Sequence, residues 1–476
     1  MKAIALSFLA AAITSLADAE TAGYQGQTSA SDVKVERVVV RQQWPWSTDV
    51  KVEYMLSGEG DGVVDVSLEL YNGNERLDSP MLEEAISGDL YGRAANSVGT
   101  IIIDPVKAFG SERKLLSKFK VKLTLTPSTK ENINEVIYKI LNLDHDPVTV
   151  TDVTRADILG RKYGTFETTY GDNFFSNKNN RLSTPLTDIL IWTGVTNGDL
   201  YRTSKLALRK IPAAQKSYMM GQGADDSAKV QVTFTKDFWM GVFPMTQAHV
   251  KRFKADYMGH STNALYSAVR AADRISWDLA RGNRAKWPNG NHADATDSSI
   301  IGLIQAATGN YRFDLPTEAQ WEFAARGGNS SIYYGGPDEK DANTVIGVYR
   351  GTTANDDDNA AVKYSNADWS KNSYPPGWYV PNAYGLYDTF YNVTEWCLDQ
   401  AVKDDQGQWL GRNGGENPRG ADIANGGVHG HPSGPAHIFR GGGHGYGFSD
   451  IGQIACTVDW WNTGHLGMRL CLHEED

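Results

Sequence analysis

The stretch that most constrains this chain is Pro381–Asp399, PNAYGLYDTFYNVTEWCLD. It gathers Gly385, the aromatics Tyr384, Tyr387, Phe390, Tyr391 and Trp396, and the acids Asp388, Glu395 and Asp399 into one turn-rich segment, with Tyr379 just upstream. Asp388 and Glu395 stand seven residues apart, with backbone carbonyls between them free to point inward. Hard cations such as Ca²⁺ take carboxylate and carbonyl oxygens, so the run is a candidate closed metal loop. The plainer reading is a pair of acids that hydrogen-bond loop amides.

Asn382–Asp388 and Asn392–Trp396, read together as NAYGLYD…NVTEW, resemble the GLYD–GNVWEW signature of the formylglycine-generating-enzyme (sulfatase-modifying factor) family. Three further segments agree in order: Phe238–Gln247 (FWMGVFPMTQ), Phe313–Gly328 (FDLPTEAQWEFAARGG), and a final block that opens with RGGG at Arg440 and closes with GMRL at Leu470. Four ordered motifs are far more specific than one. The resemblance implies a compact, loop-rich, C-type-lectin-related α+β domain over residues 204–476. It also implies a structural Ca²⁺ held by the Asp388 and Glu395 side chains and the Tyr391 and Val393 carbonyls. Asn343 falls where the family often places a ligand of a second Ca²⁺ site, with Asp356, Asp357 or Asp358 as its partner. An acidic loop that is merely solvated is the plainer reading of that stretch.

Ahead of this domain, Met1–Ala19 reads as a secretory signal: Lys2, an apolar run, then a small-residue cleavage site. The reading expects export, to a secreted or periplasmic location, with no membrane span after signal cleavage. Residues 20–32 form a polar lead-in. From Val33 the pattern is β: Val33–Val40, Val50–Leu56, Val63–Leu70, Val98–Ile103 and Phe119–Leu125 are short β-branched runs separated by Gly- and Asn-rich turns. Residues 33–127 are therefore expected to form an immunoglobulin-like or fibronectin-like β-sandwich. Residues 128–203 read as a connector with added strands, among them Val148–Val153. Within the family-like domain, Lys205–Ile211 and Val230–Phe234 read as strands. Thr246 is set to cap a helix, and Thr317 with Gln320 forms a capping box for the helix Glu318–Arg326, which Gly327 ends. A net charge of −11 argues against a nucleic-acid partner.

The family's characterised enzymes oxidise a protein cysteine to formylglycine through copper held by two cysteines shortly after the RGG-type turn. Soft thiolates suit Cu(I), and carboxylates do not. Here residues 440–455 read RGGGHGYGFSDIGQIA, without a cysteine. The chain has three in all, Cys397, Cys456 and Cys471. Export makes a Cys456–Cys471 disulfide feasible, and three buried thiols fit as well. Five of the ten histidines, His429, His431, His437, His444 and His465, fall in the same region. They could supply imidazole to a changed metal site, or serve as loop and core histidines.

Two readings follow. One is a noncatalytic binding or scaffold member, a pseudoenzyme with structural calcium and no copper. It would hold a peptide, protein or glycan in a groove near Arg440, His444, Tyr446, Phe448, Trp460 and Trp461. The other is an oxidoreductase of the formylglycine-generating or nonheme metal type, acting on a protein or peptide thiol with changed ligands. Core packing would account for the same aromatics.

Overall fold

The structure is a computed structural model. It describes residues 33–474 apart from 43–46, 60–61, 111–117, 129–132, 164–190, 222–228, 264–266, 283–286, 310–311, 329–372, 378–380, 383, 391, 404–413, 421–427, 430, 432, 434 and 444–454. The signal-like segment, Asn343, Asp356, Asp357, Asp358, Tyr391, His444, Tyr446 and Phe448 thus lie outside the described residues. The chain divides into two compact units, residues 1–136 with 153–166 and residues 137–152 with 167–476.

In the smaller unit every β-branched run is a strand. These are β1 (Lys34–Gln42), β2 (Val50–Ser57), β3 (Val63–Asn72), β4 (Glu75–Leu77), β5 (Ile86–Gly88), β6 (Arg93–Ala94), β7 (Val98–Ile103) and β8 (Phe119–Pro127). One sheet runs β1-β2-β7-β5, the other β4-β3-β6 with β8 paired to β3. All the pairings are antiparallel. Alternation does the work: along β2, Val50, Val52, Tyr54 and Leu56 point inward and their neighbours do not. They share one apolar core with Val64, Val66, Leu70, Leu123 and Leu125 of the second sheet.

The larger unit is mixed α/β, strand-rich with short helices. Its main sheet has the order β10-β9-β11-β14-β23-β15. The strands are β9 (Val136–Asn142), β10 (Thr149–Thr154), β11 (Lys205–Ile211), β14 (Phe238–Gly241), β15 (Phe313–Asp314) and β23 (Cys471–His473). β9 and β10 come from the stretch read as a connector, and the β9–β11 ladder from Lys205↔Asn142 to Arg209↔Tyr138 ties β9 into this sheet. A three-stranded sheet joins β12 (Ser217–Met220), β13 (Val230–Thr233) and β18 (Gly415–Glu416), and a small ladder pairs β17 (Val402–Lys403) with β19 (Val428–His429).

The sheet that places the candidate site has the order β21-β20-β16-β22, from Ala455–Val458, Ala436–Arg440, Thr394–Gln400 and Leu466–Gly467. Every residue of β16 is buried, as a strand covered on both faces requires. Glu395 is its hinge point, opposite Arg440 on the antiparallel side and Gly467 on the parallel side. A Cβ on Gly467 would meet the Ala272 carbonyl oxygen at 2.6 Å, so only glycine lets that strand close in.

The helix Glu318–Arg326 opens on the Thr317/Gln320 capping box and ends at Gly327, whose φ is 60°. Thr246 caps the helix Gln247–Phe253, whose Val250 is buried. No helix among the described residues is long and apolar enough to cross a membrane.

Candidate functional site

Arg469, from the GMRL block, is fully buried beneath the central loop. Its Nε lies 2.9 Å from Glu395 Oε2, and its Nη2 lies 2.7 Å from Glu395 Oε1. The remaining donors go to the carbonyls of Gly241 (2.8 Å), Val242 (3.1 Å), Tyr387 (2.7 Å) and Asp388 (3.2 Å). Trp321 Nε1 donates to Glu395 Oε2 at 2.7 Å. A planar guanidinium is suited to this fork, and here it ties four separate motifs to one acid.

This arrangement bears on the expected calcium. A divalent cation on the Glu395 carboxylate would sit against a guanidinium that already neutralises it. The described residues therefore do not fit a calcium held through Glu395. Asp388 is engaged too: its Oδ2 accepts from the Gly377 amide at 2.6 Å. Burial pushes the Asp388 carboxyl up to about 6, against the Gly377 amide, Arg469 and the Tyr374 hydroxyl. Its φ of 52° is a conformation that aspartate and asparagine tolerate better than most residues. Val393 is buried, its side chain lying against Gly467.

The sequence sets Arg440 beside a groove of which His444, Tyr446 and Phe448 lie outside the described residues. Arg440 itself is fully buried, donating to Glu318 through Nη1 and to Glu322 through Nη2. Arg326 binds the other oxygen of Glu322 at 2.6 Å, and the Gly221 amide reaches the same atom at 2.9 Å. Burial opposes the Glu322 charge, but Arg440, Arg326 and the Gly221 amide outweigh it and hold its carboxyl below the ordinary value. Asp399 Oδ2 accepts the Glu318 amide at 2.6 Å, at the start of the same helix. Burial first, and then the Glu318 charge, push the Asp399 carboxyl well up from its usual range. Three carboxylates face two guanidiniums, so a proton on Asp399 balances the cluster. Just past Arg440, Gly441 has φ 90°, and a Cβ there would meet Trp321 at 2.9 Å, which explains the start of the glycine run.

The solvent-facing part lies past β21. Trp460 is 58% exposed and Trp461 44% exposed, their ring centroids 5.8 Å apart and tilted by 36°. They are surface residues. The turn that carries them is anchored by Asp459, whose Oδ1 accepts from His437 Nδ1 at 2.7 Å. A carboxylate oxygen is the acceptor of such a contact and the ring nitrogen its donor. His437 in turn stacks on Trp277, centroids 3.7 Å apart. Sequence reasoning missed this pair because His437 lies on β20 and Asp459 in the turn just past β21, 22 residues apart. It missed Arg469 too, although GMRL was in view.

Among the described residues, the other histidine candidates do not converge. His431 accepts from the Ser433 amide through its own ring, and His465 contacts Thr463. Among the described residues no group of three or more His, Cys, Asp or Glu side chains is placed to hold a metal. All three cysteines are free, so the Cys456–Cys471 pairing is not formed. Cys471 lies on β23 of the main sheet, and Cys456 lies on β21 opposite Ile438.

The ordered motifs, the ion-paired centre and the mixed strand-rich unit define a sulfatase-modifying-factor type of domain. The match to the family described as sulfatase-modifying factor enzyme 1-like domain runs over residues 210–469, more than half of the chain, and the chain belongs to that family. It is 36% identical over 209 residues to the inactive C-alpha-formylglycine-generating enzyme 2 of Bos taurus, covering 39% of this chain and 67% of that one. It is 32% identical over 132 residues to a formylglycine-generating enzyme of Mycobacterium tuberculosis, covering 26% of this chain and 42% of the relative. The chain thus spans less than half the length of that enzyme. Among solved structures, Treponema denticola variable protein 1 aligns with a TM-score of 0.39 at 17% identity, over 56% of this chain and 95% of that one.

Proposed function

We propose that this chain is an exported, noncatalytic binding or scaffold member of its family, presenting a ligand surface at Trp460 and Trp461. The observation that carries the reading is the exposure of two adjacent tryptophans on a turn held by a buried His437–Asp459 pair. Indole rings are large apolar surfaces that cores and interfaces both consume, and contiguous exposed ones mark binding sites. The missing thiol pair after Arg440 supports the same reading, because Cu(I) chemistry in this family depends on it.

In this proposal the larger unit is a C-type-lectin-related domain and the smaller one an immunoglobulin-like module that spaces or presents it. Met1–Ala19 directs export to a secreted or periplasmic location. The ligand is a peptide, a protein or a glycan. Structural calcium is not carried into the proposal, because Arg469 already neutralises Glu395.

The test is to incubate the purified protein, with and without added copper or iron, with a cysteine peptide bearing the sulfatase C-x-P-x-R motif. Oxygen uptake and aldehyde formation are then followed. The expected result is neither. Turnover to an aldehyde would overturn the reading.

A further inference from the structure

The turn Asp459–Asn462 has a chemistry that narrows its ligand. From Ala455 to Met468 the only carboxylate is Asp459, and there is no lysine or arginine. That one charge is turned inward: Asp459 is fully buried on His437. Its backbone is pinned as well, the amide donating to the Pro435 carbonyl at 3.3 Å and the carbonyl accepting from the Asp278 amide at 3.1 Å. The Trp461 amide closes the turn onto Val458 at 3.0 Å. What faces solvent is two tilted indole faces, the exposed Asn462 amide, and then the half-buried Thr463.

Each ligand class asks something different of such a surface. A cation over an indole gains most where a carboxylate shares its charge, and the carboxylate of this turn is already engaged. An anion would need lysine or arginine, which the turn lacks, and would approach a chain of net charge −11. A neutral polyhydroxylated ring asks for what is present: flat aromatic faces for its C–H face, and amide and hydroxyl groups at the edge for its oxygens. The rigid anchoring of the turn lowers the ordering cost of binding.

Resting on the binding-protein reading above, we propose that Trp460, Trp461 and Asn462 form a platform for a neutral saccharide, with Asp459 and His437 as positioning residues.

The experiment titrates the full chain with neutral cello- and chito-oligosaccharides, following tryptophan fluorescence and calorimetry. A heparin oligosaccharide and a lysine-rich peptide serve as charged comparisons. The expected result is binding of a neutral oligosaccharide that salt leaves unchanged, since no charges are screened. Trp460→Ala and Trp461→Ala should each weaken it by roughly tenfold or more, as loss of an aromatic anchor does. Both residues are exposed, so circular dichroism and melting should match the parent. Asp459→Asn disturbs a fully buried partner of His437, so it should weaken binding and also lower melting, whereas Trp460→Ala and Trp461→Ala should weaken binding alone. Binding of the peptide or heparin alone overturns the saccharide proposal and leaves the binding reading standing. Failure of every oligosaccharide up to millimolar concentration overturns it too, and aldehyde formation from the cysteine peptide overturns both.

Discussion

Arg469 and Glu395 form a two-point ion pair, Nη2 to Oε1 at 2.7 Å and Nε to Oε2 at 2.9 Å, with both side chains sealed from solvent. Removing one member of a buried pair leaves the other charge uncompensated and costs about 3–5 kcal/mol. Arg469→Met should therefore lower stability by about that amount. Arg469→Lys should recover only part of it, because an ammonium cannot span two oxygens and four carbonyls. Urea denaturation followed by circular dichroism of the far ultraviolet checks both. A loss for Arg469→Met below about 1 kcal/mol would show that the pair does not hold the loop.

The same pair sets an outcome for metal. A calcium ion bound in the native state at a hundredfold excess over its dissociation constant would stabilise by about 2.7 kcal/mol. The expected result is no change in Tm on adding either calcium or EDTA. A clear rise with calcium, reversed by EDTA and lost in Glu395→Gln, would mean that Glu395 leaves Arg469 for the ion and that the loop has a second state.

What could be foreseen was local. The Thr317/Gln320 capping box specifies its helix within four residues, and the structure keeps the predicted ends, Glu318–Arg326 with Gly327 in the left-handed conformation. β11 matches its expected span, Lys205–Ile211, because its apolar run Leu206, Ala207, Leu208 and Ile211 needs no distant partner to be read. Arg440 shows where such reading stops. In the sequence it opens a glycine-rich turn and looks like a groove residue. Its burial is decided by Glu318 and Glu322, more than a hundred residues earlier. The Arg469–Glu395 pair likewise joins strand β16 to the segment between β22 and β23, 74 residues away. Trp460 and Trp461 carried two meanings in the sequence, core or surface, and only packing separates them.

The thiols give a direct chemical check. Cys397 and Cys471 are fully buried, and burial pushes both thiols well above their ordinary range. A thiol that cannot ionise or meet reagent does not react. Three thiols should be titrated by a disulfide reagent in denaturant, and no more than one, the half-buried Cys456, in the native protein. Fewer than three in denaturant would reveal a disulfide that the fold described here does not contain.

The cluster around Arg440 makes a prediction about pH. Asp399 sits at a helix N-terminus and accepts the Glu318 amide, and both features favour its charged form. Burial and the adjacent Glu318 carboxylate win, and its pKa is pushed up to about 8. The native state thus holds this proton more tightly than the unfolded chain, where an aspartate titrates near 3.9. Stability from that proton is fully present below about pH 4 and is lost as pH rises toward about 8, because unfolding releases a proton throughout that window. Asp399→Asn keeps the shape and an oxygen for the Glu318 amide while removing the charge. The variant should be more stable than the parent at pH 8 by at least about 1 kcal/mol, with the two converging near pH 4. Gly420 packs so closely on Asp399 that a Cβ there would meet the carboxylate at 2.8 Å, so a larger replacement would confound the comparison and asparagine is the right one. Urea midpoints at four pH values between 4 and 8 decide it. A parent whose stability rises across that range relative to the variant would mean that Asp399 is ionised in the folded protein, and that the excess negative charge beside Glu318 is balanced by something other than a proton.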